Sequence, residues 1–365
     1  MAHFDLEVAQ RSDYMRPEFP LSSSVVKSDS PSALSVWIRR TLSILAFGLV
    51  LYLFWPLLAE LRNVLDLFKH AQWVGLAIAI GIEFISYACL TQLNYLLLSP
   101  FAGKIGFWRL MAILPTTAFI EVALPSAGLS GVVLRARLLG KSGYSAEASS
   151  FTMIIESIYI AGVMAVLSLA GVWYLLDHGD MSFTQLSILI MIMLLLAGVC
   201  VLLYRLGRDK QRAVRGVSWF VTRWNHVLQA LHQASIPVEN LRERIDRFYE
   251  GIGQLNHVSP ILLLTAASGR IVLDVGTLWL CFLAFHFTVS LGILLTGYGL
   301  VLTFSGLAAL PGGLGLVDIS LAVIFAKLGA PGAVAVAAAL SYRIIAFWLV
   351  RFIGFVSWQV LEVRG

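Results

Sequence analysis

Ala123-Leu124-Pro125-Ser126-Ala127-Gly128 returns later in the chain as Ala309-Leu310-Pro311-Gly312-Gly313-Leu314-Gly315. The shared Ala-Leu-Pro triplets sit at a fixed offset, 311 − 125 = 186. Lys141-Ser142-Gly143 and Lys327-Leu328-Gly329 keep that register, 329 − 143 = 186, and so do Gly106 and Gly292. One Leu-Pro match in a Leu-rich chain carries no information. Two triplets in register, each followed by a long apolar run, indicate an internal duplication.

Both blocks lie inside apolar stretches that no single helix explains. Residues 106–140 include Pro115, Pro125, Arg135 and Arg137, and residues 290–329 include Pro311-Gly312-Gly313 and Asp318. Each is too broken for one crossing helix and too apolar for an exposed loop. Around them, continuous apolar runs at 37–58, 72–98, 146–175, 183–205, 260–287 and 332–360 reach the ~20 residues a bilayer crossing requires. They do not alternate as the strands of a membrane barrel would. Composition agrees: 59% of residues are hydrophobic and 13% charged, where a soluble surface needs about 25%.

Charge sets the expected topology. Lys and Arg accumulate on cytoplasmic flanks, so the basic region from Arg205 to Arg247 is expected inside, the Asp177–Asp180 turn outside, and Arg135, Arg137 and Lys141 inside. Lys104 and Arg109 also end an inward-going span. The 106–140 segment therefore starts and finishes on one side, as a re-entrant hairpin does. Three crossings separate it from 290–329, which inverts the second copy, and roughly 20 of the 26 Lys and Arg then lie in the cytoplasm. The fold expected is an all-α polytopic membrane protein with an inverted structural repeat and two re-entrant helical hairpins. Its parts are a disordered cytoplasmic tail (1–35), a first membrane half (36–206), cytoplasmic amphipathic helices (207–258) and a second membrane half (259–365). Both termini are expected in the cytoplasm, with no cleaved signal peptide. Cys89, Cys200 and Cys281 all fall in apolar runs, and no spacing suggests a disulfide framework, a metal or a cofactor. The net charge of +5 reads as topology and not as affinity for nucleic acid.

Ionisable residues in spans are expensive, about 2.5–3.5 kcal/mol each near mid-helix. This chain has Glu83, Glu121, Glu156, Arg270, Asp274, Asp318 and Arg343 there. Glu156 lies about ten residues into its span, roughly 15 Å deep. Arg343 is similarly deep, and 343 − 186 = 157 makes the two neighbours in the repeat. A central Glu156–Arg343 pair is expected, with Arg270 and Asp274 paired at i and i+4. Such pairs either lock the bundle or line a polar cavity in which arginine meets a lipid phosphate. Gly312 and Gly313 either bring backbone to a ligand or simply break the helix. Trp37, Trp55, Trp73, Trp108 and Trp358 read as interfacial anchors.

The repeat cores resemble the lysylphosphatidylglycerol synthase transmembrane-region family, also called flippase-like. The matching residues are Leu124-Pro125-Ser126-Ala127-Gly128 with Arg135 and Leu138, then Gly143-Tyr144-Ser145-Ala146 leading to Glu156. In the second copy they are Leu310-Pro311-Gly312-Gly313-Leu314-Gly315 with Asp318, Gly329-Ala330-Pro331, and Arg343 followed by Trp348. The resemblance covers about residues 40–360. Two positions depart from the pattern: Ser130 and Gly131 stand where an acidic residue often precedes the arginine, and Glu156-Ser157 stands for Glu-Arg. No soluble aminoacyl-transferring domain accompanies the repeats, so the resemblance implies no lipid lysylation. It does imply a lipid transporter of the bacterial cytoplasmic membrane; substrate contacts are expected from the matching residues Glu156, Arg343, Arg135, Pro125, Pro311, Gly312, Gly313 and Asp318 and, from the charges in the spans, Arg270 and Asp274. The partners expected are membrane lipids with phosphate-bearing headgroups, and either a second copy of the chain or an enzyme of lipid biosynthesis. Two other readings compete. One is a polyprenyl-phosphate-dependent glycosyltransferase, for which the outer loops are short and no DxD, HExxH or P-loop is present. The other is a non-transporting accessory of envelope-lipid synthesis.

Overall fold

The structure is a computed structural model and describes residues 66–123, 129–178, 258–307 and 316–363, with isolated positions between 215 and 255. The expected tail, the spans at 37–58 and 183–205 and most of the 207–258 region lie outside the described residues. So do Pro125, Pro311, Gly312 and Gly313.

The described part is helical throughout. The helices are α1 (Trp73–Leu98), α2 (Phe107–Ala123), α3 (Leu129–Gly140), α4 (Ala146–His178), α5 (Pro260–Ala284), α6 (Leu291–Leu307), α7 (Leu316–Lys327), α8 (Gly332–Tyr342) and α9 (Val350–Val363). A π-helical turn, Arg343–Leu349, joins α8 to α9. Among the described residues, four helices are long and apolar enough to cross a membrane: Trp73–Leu98, Ala146–Gly171, Pro260–Ala284 and Gly332–Leu361. All four coincide with expected spans. Their lipid-facing sides stay apolar, as at Ile80, Phe84, Val166 and Phe352, because in lipid only the backbone's own helical bonds satisfy its polar groups.

The two halves follow one plan. Helices of 26, 17 and 12 residues (α1, α2, α3) are matched by helices of 25, 17 and 12 (α5, α6, α7). Both third helices stop at the same kind of left-handed glycine, Gly143 at φ 85° and Gly329 at φ 104°, a conformation glycine adopts without steric cost. The cap bonds correspond too. Tyr144 N donates to Leu139 O at 3.2 Å, and Ala330 N donates to Phe325 O at 3.0 Å. These four residues stand 186 apart in pairs, 330 − 144 and 325 − 139.

Packing pairs the halves reciprocally. Helix α1 lies on α5, α2 on α9, and α6 on α4. α1 and α5 run antiparallel: Gln72 N donates to Ala284 O at 2.9 Å at one end, and Cys89 meets Gly269 at the other. Small residues allow the close approach, as they do between membrane helices generally. In α9, Gly354 sits on the Pro115 carbonyl of α2; in α6, Gly299 sits on Ser168 of α4. A Cβ at Gly354 would fall on a backbone oxygen that has no rotamer to escape into. Gly354→Leu is therefore expected to lower stability by about 3 kcal/mol, the upper end for overpacking, read as the loss of cooperative thermal unfolding in detergent.

The α2–α3 unit is a hairpin whose ends meet. Lys104 N donates to Ser142 O at 3.0 Å, and Gly143 packs on Gly103. At 1.5 Å per residue, the 12-residue α3 and α7 are each about 18 Å long, well short of a ~30 Å hydrocarbon core.

Candidate functional site

Three polar clusters converge between the halves. In the first, Arg135 of α3 is buried, and its Nη1 stands 3.0 Å from Glu156 Oε2 of α4. Its Nη2 donates to Asn94 Oδ1 of α1. The sequence reading set Glu156 against Arg343, and the structure corrects this: the carboxylate is engaged by Arg135. The reading also placed Arg135 on a basic cytoplasmic flank, yet its side chain turns into the bundle.

The second cluster centres on α5. Arg270 and Asp274 pair at 3.3 Å, as the i, i+4 spacing suggests. The same Nη1 also lies 3.1 Å from Glu83 Oε1 of α1 and donates to Ser86. Thr277 donates to Glu83 Oε2 at 3.2 Å. Asp274 Oδ2 accepts from Tyr298 of α6 and, at 2.9 Å, from Tyr342 of α8. Arg270 is also stacked on the Tyr87 ring, 4.9 Å from its centroid. Isolated charges at this depth cost several kcal/mol each, and the mutual hydrogen bonds offset that.

The third cluster is the π-helical turn. The guanidinium carbons of Arg343 and Arg351 stand 3.9 Å and 3.7 Å from the centroid of Phe347, so the ring lies between two cations. The wider π winding puts residues 343, 347 and 351 on one side, and such turns concentrate at functional sites.

All three clusters face one cavity of about 320 Å³, lined by Glu156, Arg270, Asp274, Tyr342, Arg343 and Arg351 among apolar neighbours such as Ile160 and Leu321. Among the described residues, four arginines (Arg135, Arg270, Arg343, Arg351) and three carboxyl groups (Glu83, Glu156, Asp274) line it or back directly onto the lining. Guanidinium groups of this number suit an anion. Asp318 lies on α7, whose Val317 and Leu321 line the cavity. The sequence reading missed Arg351, Tyr298, Tyr342 and Asn94, and named Glu83 without a partner. Of the four missed residues, Arg351 alone had a legible signal, its i, i+4, i+8 spacing from Arg343 and Phe347.

Comparison with known proteins agrees with this architecture. The chain is 25% identical over 305 residues to a UPF0104 membrane protein of Methanothermobacter thermautotrophicus, covering 79% of this chain and 86% of that protein. It is 25% identical over 328 residues to another UPF0104 membrane protein of that organism, covering 87% and 93%. Residues 42–354 match the family described as Lysylphosphatidylglycerol synthase TM region. With nearly the whole chain matched and four apolar spanning helices carrying the polar clusters, this multi-pass membrane protein belongs to the lysylphosphatidylglycerol synthase TM region family.

Proposed function

We propose that the protein is a flippase-like lipid transporter that moves a lipid or its headgroup between leaflets through the charged cavity between the two halves. The observation that carries this reading is the cavity itself: about 320 Å³ of space, inside a bundle of spanning helices, lined by Glu156, Arg270, Asp274, Arg343 and Arg351. Buried charge of this density is costly in a membrane and marks substrate pathways. The lining arginines suit a phosphate-bearing headgroup, which guanidinium recognises in a bidentate manner.

The halves act as an inverted repeat in this reading. Support comes from the antiparallel packing of α1 on α5, which hold equivalent places in the two copies. Helices perpendicular to a membrane and related by a twofold axis run antiparallel only if that axis lies in the membrane plane. The α2–α3 and α6–α7 units are re-entrant hairpins, a reading supported by the 18 Å third helices and by the contact between Lys104 and Ser142. Inverted repeats with binding at their interface are the usual architecture of secondary transporters. The chain resides in the cytoplasmic membrane with both termini inside, a placement supported by the basic Arg205–Arg247 region.

Reconstitution into liposomes with fluorescent phospholipids tests the reading through leaflet accessibility. Wild type is expected to exchange at least one anionic lipid faster than empty liposomes. Indistinguishable rates across anionic, neutral and polyprenyl lipids would discard transport and leave the accessory and glycosyltransferase readings.

A further inference from the structure

Glu83 and Asp274 present two carboxyl groups to one guanidinium. Arg270 Nη1 lies 3.1 Å from Glu83 Oε1 and 3.3 Å from Asp274 Oδ1, and both acids are almost fully buried. Arginine remains charged at any pH a protein meets. The trio is therefore neutral with one proton on the carboxyl pair and negative without it.

The hydrogen-bond partners distinguish the two acids. Asp274 Oδ2 accepts two hydrogen bonds, from Tyr298 and Tyr342, while its Oδ1 lies 3.3 Å from Arg270 Nη1 as an ion-pair contact without a hydrogen bond. That shell of donors suits a carboxylate. Glu83 Oε2 accepts from Thr277 alone, and Glu83 shares Nη1 with Ser86 and Asp274. Both carboxyl groups contact the same Arg270 Nη1, so the two acids share one cation.

The position matters as much as the charge. Arg270 and Asp274 line the polar cavity. Glu83 lies behind them, on a separate apolar groove of about 240 Å³ with Ile80, Phe84, Tyr87, Met111 and Ile353. The other groups facing Glu83 are Tyr87 on its own helix and Arg270, Asp274 and Cys281 on α5. Tyr298 and Tyr342 stand behind Asp274, and Arg351 of α9 beyond Tyr87. From α2 the groove receives only the uncharged Trp108, Met111, Ala112 and Pro115.

We propose that Glu83 is a proton-binding site whose occupancy decides whether Arg270 can serve an anion in the cavity. With the proton in place, Arg270 has one charged competitor and can turn to the ligand. Without it, two carboxylates hold the guanidinium and their negative charge opposes an anion. Linkage makes the effect reciprocal, so a bound anion raises proton occupancy. A transport cycle that carries the anion then carries a proton with it. The identity of the anion as a lipid headgroup rests on the transporter reading; the proton site does not.

Two measurements on the full-length purified protein separate these levels. The infrared difference between wild type and Glu83→Gln at neutral pH is expected to contain the carbonyl band of a protonated carboxyl group. A difference showing only carboxylate bands would overturn the proposal, whatever the protein transports. The second measurement is binding of dioctanoyl phosphatidylglycerol, whose single charge is constant from mildly acidic to mildly alkaline pH. Wild-type affinity should fall as pH rises, by up to tenfold per pH unit for one linked proton. Glu83→Gln should hold the acidic-pH affinity throughout, and Glu83→Asp, which keeps a titratable group, should restore the slope. An unchanged slope in Glu83→Gln would contradict the linkage. No binding by any variant at any pH would remove the linkage to an anionic lipid and count against the transporter reading, with the infrared result still deciding the proton site.

Discussion

Arg270→Gln is expected to be the most destabilising single substitution in the described bundle, costing about 3–5 kcal/mol. The cost comes from what it leaves behind: Asp274 and Glu83 stay buried without their shared cation. Thermal unfolding in detergent should show it as a large drop in midpoint or as failure to purify folded protein. The pattern of rescue is more informative than the loss. If Glu83 carries the proton, Asp274 holds the uncompensated charge, so Asp274→Asn should restore more stability to the Arg270→Gln background than Glu83→Gln does. A double-mutant cycle measures this directly. Equal rescue by the two would mean that both acids are ionised beside Arg270.

The second large effect falls on activity. Arg343 and Arg351 flank Phe347 and line the cavity. A hydrogen bond to a charged group contributes about 1.5–3 kcal/mol, which corresponds to roughly 10–100-fold in rate or affinity for each arginine. Arg343→Gln with Arg351→Gln is expected to reduce translocation of an anionic lipid at least tenfold. Folding should survive better than in Arg270→Gln, because no carboxylate of the Arg270 cluster loses its cation. Normal transport by the double variant would move the headgroup site away from the π-helical turn.

How much of this the sequence disclosed follows from where its information lies. Helix existence was legible, since continuous apolar runs have one economical solution in lipid; all four described spans match. The helix ends at Gly143 and Gly329 were legible because the two glycines stand at the fixed offset of 186, and both are left-handed. Partner choice was not. Register arithmetic set Glu156 beside Arg343, but it describes position along a helix and says nothing of which helix faces which. The α2–α3 hairpin folds Arg135 back onto α4, and a side chain as long as arginine reaches Glu156 from there. The Glu83–Arg270 contact did have a signal, since 270 − 83 = 187 is close to the repeat offset. A residue that pairs with the neighbour of its repeat equivalent, here the residue after Gly269, sits where the two halves meet. Tyr298, Tyr342 and Asn94 gave none, because a hydroxyl or amide in an apolar span looks the same whether it faces lipid, backbone or a buried acid.

The measurement that bears most directly on the central claim is translocation by a protein whose cavity has been filled. Ile160 lines the cavity one turn from Glu156 and is a member of none of the ion pairs. Ile160→Trp places a bulky ring in the space while leaving every charged group in position. In proteoliposomes the wild type should equilibrate an anionic fluorescent phospholipid between leaflets, and Ile160→Trp, at matched thermal stability, should fall to the rate of empty liposomes. A filled variant that flips lipid as fast as wild type would contradict passage through this cavity.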